Sequence, residues 1–187
     1  MKELHTSDII TYDGTQLTSH WAYRNYGLPG DSIVTFQGPC NVALPEMVDL
    51  KDVLDNAPIY SELMLHFIVE HFTLELESTI LRQRLLIATL RDIVSERTGA
   101  FVRRFGDDLF LDKRKLTVSI ATLTPVSTMI HTGVNITGKN APVPAIGLAD
   151  MGLDMDEVFQ IGKSLRLAYV EEYEQIKLAR CKVRGVG

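Results

Sequence analysis

The chain has 187 residues, of which 45% are hydrophobic and 23% charged, and its net charge is −5. That length supports one domain with a substantial core, a single unit over 1–187, and excludes two ordinary domains, while the composition excludes disorder. The negative charge excludes the general basic field that supplies most non-specific nucleic-acid affinity.

In chain order, LTSHWAYRNYG over 17–27 ends in glycine before the turn LPGD and reads as a short helix or helical turn. DSIVTFQG over 31–38 alternates and is rich in β-formers, a strand ended by Gly38 and Pro39. LMLHFIVEHF over 63–72 is apolar on both faces and should be a central, buried strand. The segment 79–100 is the strongest helix, with Leu86, Leu90, Ile93 and Val94 in one stripe and Gly99 as its stop. Leu81, Leu85 and Ala88 cover a second side, so the spacing predicts a sandwiched helix. Strands follow near 100–105, 108–111, 115–122 and 128–136, and their short turns imply antiparallel neighbours. After the loop GKNAPVPAIG comes a long amphipathic helix opened by an Asp154 and Glu157 capping box. Its apolar face is Val158, Ile161, Leu165, Ala168, Tyr169 and Ile176. Strands and helices are segregated, so the class is α+β with a largely antiparallel sheet backed by helices.

No run of eighteen apolar residues occurs, and the polar start MKELHTSDIITYDG has no hydrophobic leader, so a cytoplasmic protein with no membrane partner is expected. The two cysteines, Cys40 and Cys181, form no CxxC pair and suggest neither zinc nor a disulfide framework. A basic tail, KLARCKVRG, reads as a solvated helix end or as a contact for RNA or an acidic protein.

Lys115 opens the strand KLTVSIA, where its side chain stands at the mouth of the sheet. There it is either a solvated turn cation or a point charge for a phosphate or carboxylate. Asp107 and Asp108 follow Gly106; paired carboxylates hold magnesium or take protons, and Asp after Gly is also ordinary turn chemistry. His66 and His71, five apart, point to opposite faces of a strand and share no metal. His131 and Asn135 lie on one strand face with Gly133 between them, where they line a pocket or serve structure. Cys40 in QGPCN is either a small buried residue or, beside an ammonium that lowers its pKa, a thiolate nucleophile. With Lys115 as that neighbour the pair would be a nucleophile and its activator. His20, Arg24 and Asp31 in SHWAYRNYGLPGD are explained by capping and ion pairing as well as by ligand binding.

The order of these features resembles a known fold. AYRNYGLPGDSIVTFQGPCN is similar to the opening of the biotin protein ligase catalytic domain, and RRFGDDLFLDKRKL to that family's tryptophan-motif strand and the glycine, arginine, lysine turn after it. MIHTGVNI resembles its glycine-rich strand, and APVPAIGLADMG the loop before its next helix. Taken whole, SHWAYRN, GDS, GPCNV, GDDLF and KLTVSIA most closely resemble domain-of-unknown-function family 366, whose name assigns no activity. The resemblance implies the fold shared by biotin and lipoate ligases, lipoyl transferases and class II aminoacyl-tRNA synthetases, a mixed, mostly antiparallel sheet flanked by helices. It also implies that Lys115 contacts the acyl-adenylate or the acyl carboxylate, with Arg104 and Asp107 on motif positions. The family's arginine-bearing loop is here QGPCNVALPEM, without arginine, which argues against ATP-driven biotinylation.

The expected function is therefore transfer or activation of a small carboxylic acid or acyl group by Lys115 and Cys40, with His20, Arg24, Arg104, Asp107, His131 and Asn135 lining the site. The alternative is a non-catalytic binder of a small molecule, nucleotide or RNA on the same fold. The partners in view are a carboxylate or acyl donor, an acceptor protein and, from the two apolar sides of the 79–100 helix, a second copy of the chain. The sequence identifies no cofactor and no metal site.

Overall fold

The computed structural model describes residues 1–187. Eight strands are present: β1 (Lys2–Ile9), β2 (Ser32–Val42), β3 (Ile59–His71), β4 (Arg103–Phe105), β5 (Asp108–Leu111), β6 (Arg114–Lys115), β7 (Thr117–Leu123) and β8 (Thr128–Asn135). The helices are α1 (Trp21–Tyr26), α2 (Leu50–Leu54), α3 (Leu76–Thr98) and α4 (Met155–Cys181). Five strands form the main sheet in the order β1-β2-β3-β8-β7, with β1 parallel to β2 and the other neighbours antiparallel. The second sheet is the small meander β4-β5-β6. This is the expected α+β architecture. No helix is long and apolar enough to cross a membrane.

The main sheet carries apolar side chains on both faces, and each face has its own cover. On one, Leu65, Phe67 and Val69 of β3 join Leu86, Leu90 and Val94 of α3 and Val158, Ile161 and Leu165 of α4. On the other, Val34, Phe36, Met64, Ile68 and Met129 are capped by Tyr12, Trp21, Ala22 and Met47 from the segments before β2 and after it. Helix α4 begins with the expected capping box, Asp154 accepting from the Glu157 N–H while the Glu157 side chain accepts from the Asp154 N–H. His66 and His71 do face opposite sides of β3: the first lies beneath Tyr12, the second donates to or accepts from the Tyr169 hydroxyl of α4.

Several expectations are corrected. Helix α3 buries one face, Thr79, Gln83, Leu86, Ile87, Leu90 and Val94, while Leu81 on the far side is 66% exposed, so it is not sandwiched. Ile176 is exposed because the last two turns of α4 run past the sheet, and Tyr173 takes the buried position instead. The strand expected over 115–122 is broken at Leu116, whose N–H donates to Leu109 O and whose side chain enters the core. That break separates β6 from β7 and leaves Lys115 at the corner between the two sheets. Strand β2 does not stop at Gly38 and Pro39: a bulge between Gly38 and Cys40 carries it on to Val42. Gly38 is required there because a Cβ would sit 1.9 Å from Ile10 O. Across that close approach Ile10 N–H donates to Gln37 O, Tyr12 N–H to Pro39 O and Asn41 N–H to Tyr12 O. The three bonds strap residues 10–12 over the end of β2.

Candidate functional site

On the sheet face opposite α3 and α4, two adjoining cavities open around Lys115. The larger, about 320 Å³, has Tyr12 and His131 in its floor, Val118 and Ile120 of β7 in one wall, and the segment 46–52 in the other. The smaller, about 120 Å³, is more apolar and is lined by Ile59, Tyr60, Met64, Val118, Val143 and Ala145, with Ser61 and Asn135 at its base. Lys115 lines both. Its backbone is held on each side, since its N–H donates to Pro144 O at 2.8 Å while its carbonyl accepts from Ile146 N–H at 3.0 Å and from Asn135 Nδ2 at 3.2 Å. Its Nζ donates to Asp108 Oδ2 at 2.8 Å, so the ammonium is aimed into the cleft and not at the turn Lys113 and Arg114 share.

The floor consists of stacked rings. Tyr12 lies on His131 with centroids 3.5 Å apart and planes 10° from parallel, and His66 stacks against both. His66 Nε2 lies 3.1 Å from Gly38 O, and His66 Nδ1 lies 3.1 Å from His131 Nε2. A carbonyl only accepts, so the proton of neutral His66 is on Nε2; its Nδ1 must then accept, and His131 Nε2 must donate. Both imidazoles are neutral. Burial lowers the pKa of His66 to about 4, and burial followed by repulsion from His66 lowers that of His131 well below its ordinary value.

The rim is acidic. Glu46, Asp49, Asp52, Asp107 and Asp108 line the larger cavity, against Lys51 and Lys115 as its cations. Lys51 is committed to Asp55, and Asp49 caps α2 by accepting from the Lys51 N–H at 2.8 Å. Asp107 accepts from Gln83 Nε2 at 3.1 Å and lies 3.5 Å from Arg84. Burial pushes the carboxyl pKa of Asp108 up against the pull of Lys115, and burial together with Asp49 raises that of Asp52.

Of the eight residues expected in the site, the structure brings Lys115, Asp107, His131 and Asn135 together around the two cavities. The other four stand apart. Cys40 is fully buried in the apolar layer beneath Tyr12, lines neither cavity, and burial pushes its thiol up to about 12. The bulge at Gly38 turns its side chain into the core, so the pairing with Lys115 does not form. His20 precedes α1 in a left-handed conformation, φ 64°; its N–H donates to Glu70 Oε1 at 2.7 Å and its ring packs on Phe72. Arg24 is exposed on α1. Arg104 lies on the outer side of β4, where Nη1 donates to Gly106 O at 2.7 Å. Tyr12, His66, Asp52 and Asp108 also belong to the site; His66 and Asp108 stand out in the sequence, as a strand histidine and as half of the pair after Gly106, whereas Tyr12 and Asp52 carry no local signal.

The fold is an α+β one, with two adjoining cavities on the sheet face opposite α3 and α4. The biotin protein ligase of Aquifex aeolicus superposes with a TM-score of 0.59 at 12% identity, covering 94% of this chain and 71% of the ligase. A putative lipoate protein ligase from T. acidophilum with bound lipoic acid gives 0.57 at 11% identity, with 91% and 86% covered. At such identities the likeness is one of fold. The chain belongs to the family described as Domain of unknown function (DUF366), whose model matches residues 1–184. A solved protein of unknown function from Pyrococcus horikoshi shares the fold over 100% of both chains, with a TM-score of 0.90 and 39% identity. An uncharacterised protein of Methanocaldococcus jannaschii is 35% identical over 184 residues, 95% of this chain and 81% of that one.

Proposed function

We propose that the chain, acting as a single cytoplasmic domain, binds a small carboxylic acid or acyl compound in the cleft around Lys115 and activates or transfers its acyl group. The observation that carries this reading is the position of Lys115, whose ammonium stands at the junction of an apolar slot and a polar chamber, held on Asp108 alone. The slot suits a short hydrocarbon chain, and the ammonium suits the carboxylate or the oxyanion that develops when an acyl carbonyl is attacked. Asp108, whose carboxyl pKa burial raises, takes up a proton more readily than an ordinary aspartate when a ligand carboxylate claims Lys115. With Cys40 outside the cavity, transfer proceeds between two bound molecules and not through a thioester of this chain.

A non-catalytic binder on the same fold is the second reading. It is favoured by the absence of both arginine and thiol from the cavity linings.

Calorimetric titration of straight-chain carboxylic acids into wild type and Lys115→Met tests the reading. Loss of a charge-assisted hydrogen bond should weaken binding roughly ten-fold or more. Equal affinity in both proteins refutes it. Turnover of acyl thioesters or acyl adenylates with amine acceptors, followed by product mass, then separates enzyme from binder.

A further inference from the structure

The larger chamber has more acceptors than free donors, its two lysines, Lys51 and Lys115, being already paired with Asp55 and Asp108. Its charged rim supplies Glu46, Asp49, Asp52, Asp107 and Asp108, and ionised carboxylates accept only. Its floor continues the pattern. The hydrogen-bond order that starts at Gly38 O fixes the His131 proton on Nε2, so His131 Nδ1 presents a lone pair. His131 is 2% exposed and Tyr12 4% exposed, and neither His131 Nδ1 nor the Tyr12 hydroxyl has a protein partner. The polar atoms that are both sealed and unpartnered lie elsewhere, at His5, Ser32, Thr35, His71, Arg82 and Arg166. The two floor atoms therefore open into the cavity their residues line. The His131 Nδ1 lone pair, on a residue almost wholly buried, thus faces the cavity beneath an excess of carboxylates with no donor from the chain, while the Tyr12 hydroxyl can donate or accept.

We propose that this chamber binds a protonated amine, so that the ligand of the cleft is an amino-carboxylate. Its carboxylate or acyl carbonyl lies on Lys115, and its ammonium lies over His131 among Asp52, Asp107 and Asp108. An ammonium offers three donors and no acceptor, which matches five carboxylates and the His131 lone pair set against two lysines; a phosphate or a second carboxylate offers the reverse. The mutual repulsion of Asp52, Asp107 and Asp108, which adds to the rise in the Asp108 pKa, is relieved by a cation placed between them. The inference rests on the reading of Lys115 given above. Because slot and chamber meet at Lys115, two members of the class fit. An α-amino acid branches there, with its side chain in the slot and its amine in the chamber; an ω-amino acid runs its chain into the chamber.

The test uses matched ligands on the full chain, by calorimetry at neutral pH. Straight-chain acids of four to eight carbons are compared with the same acids bearing an α-amine, a terminal amine or a terminal trimethylammonium. The amine should tighten binding roughly ten-fold or more over the plain acid. Trimethylation, which keeps the charge and removes the donors, should cancel most of that gain, and Asp52→Asn should reduce it. Whichever of the α and ω series gains identifies the source. Plain acids that bind as tightly as every amino-acid series overturn the amine proposal and leave the Lys115 reading standing. Should no acid of any series bind more weakly to Lys115→Met than to wild type, both fall.

Discussion

Acidification should unfasten the floor of the cleft, and the size of the effect follows from His66. This imidazole is fully buried, donates from Nε2 to Gly38 O and accepts at Nδ1 from His131, so it has no room for a second proton. Its pKa drops from the ordinary 6.5 to about 4, the main cause being burial. Between those values the unfolded chain binds a proton that the folded chain refuses, so stability falls as pH falls. The contribution is complete above pH 6.5 and gone below about 4. A gap of about two and a half pKa units corresponds to about 3 kcal/mol. His131 adds to the loss in the same direction, and the two titrate as a pair. Urea unfolding at pH 7.5, 6.0, 5.0 and 4.5 measures it, with His66→Gln as the variant that keeps a polar side chain and loses the titration. Wild type should lose more stability than the variant over this range, the gap widening toward about 3 kcal/mol as pH approaches 4. The ring-proton NMR signals of His66 should stay flat from pH 8 to 5. A His66 titration midpoint above 6, or identical pH slopes in both proteins, would refute the argument.

Four further outcomes are expected. Gly38→Ala puts a Cβ 1.9 Å from Ile10 O and must lift the strap over β2; it should cost about 3 kcal/mol in urea melts, and a change under about 0.5 kcal/mol contradicts the close approach. Cys40→Ser buries a hydroxyl in an apolar layer and should cost about 1 to 3 kcal/mol. In the native wild type a thiol-titrating disulfide reagent should modify the exposed Cys181 at once and Cys40 only on unfolding. Leu86→Ala should cost about 2 to 5 kcal/mol while Leu81→Ala, on the open side of α3, stays within about 0.5 kcal/mol; equal losses would restore the sandwiched helix.

The elements that could be read from the sequence are those whose local pattern and tertiary role agree. α4 announces itself by a capping box and a 3.6-residue stripe, and β3 by apolar residues on both faces, as a central strand needs. β1 was missed because KELHTSDI is half-exposed at a sheet edge and its pairing with β2 is parallel, a long-range choice with no turn signal. α2, five residues long, has too few turns to show a period. For α3 the error was of degree: Leu81, Leu85 and Ala88 look like a second stripe, but only one face has a partner.

The site divides along the same line, and Gly38 shows why. Lys115 was legible because a lysine at the head of an apolar strand has to put its charge somewhere wet, and the corner at Leu116 makes that place the cleft. Cys40 was misplaced because its direction depends on a bulge, and the bulge on a glycine that reads locally as the end of a strand. That glycine does two things its neighbours in sequence do not reveal. Having no Cβ, it admits Ile10 and so brings Tyr12 over Cys40, which removes the thiol from solvent. Its carbonyl accepts the hydrogen bond from His66 Nε2 and thereby decides which nitrogen of His131 faces the cavity. The thiol lost from the site and the acceptor gained by it thus have one cause, and the cleft's chemistry follows from a backbone event at Gly38, which only the folded chain brings next to His66.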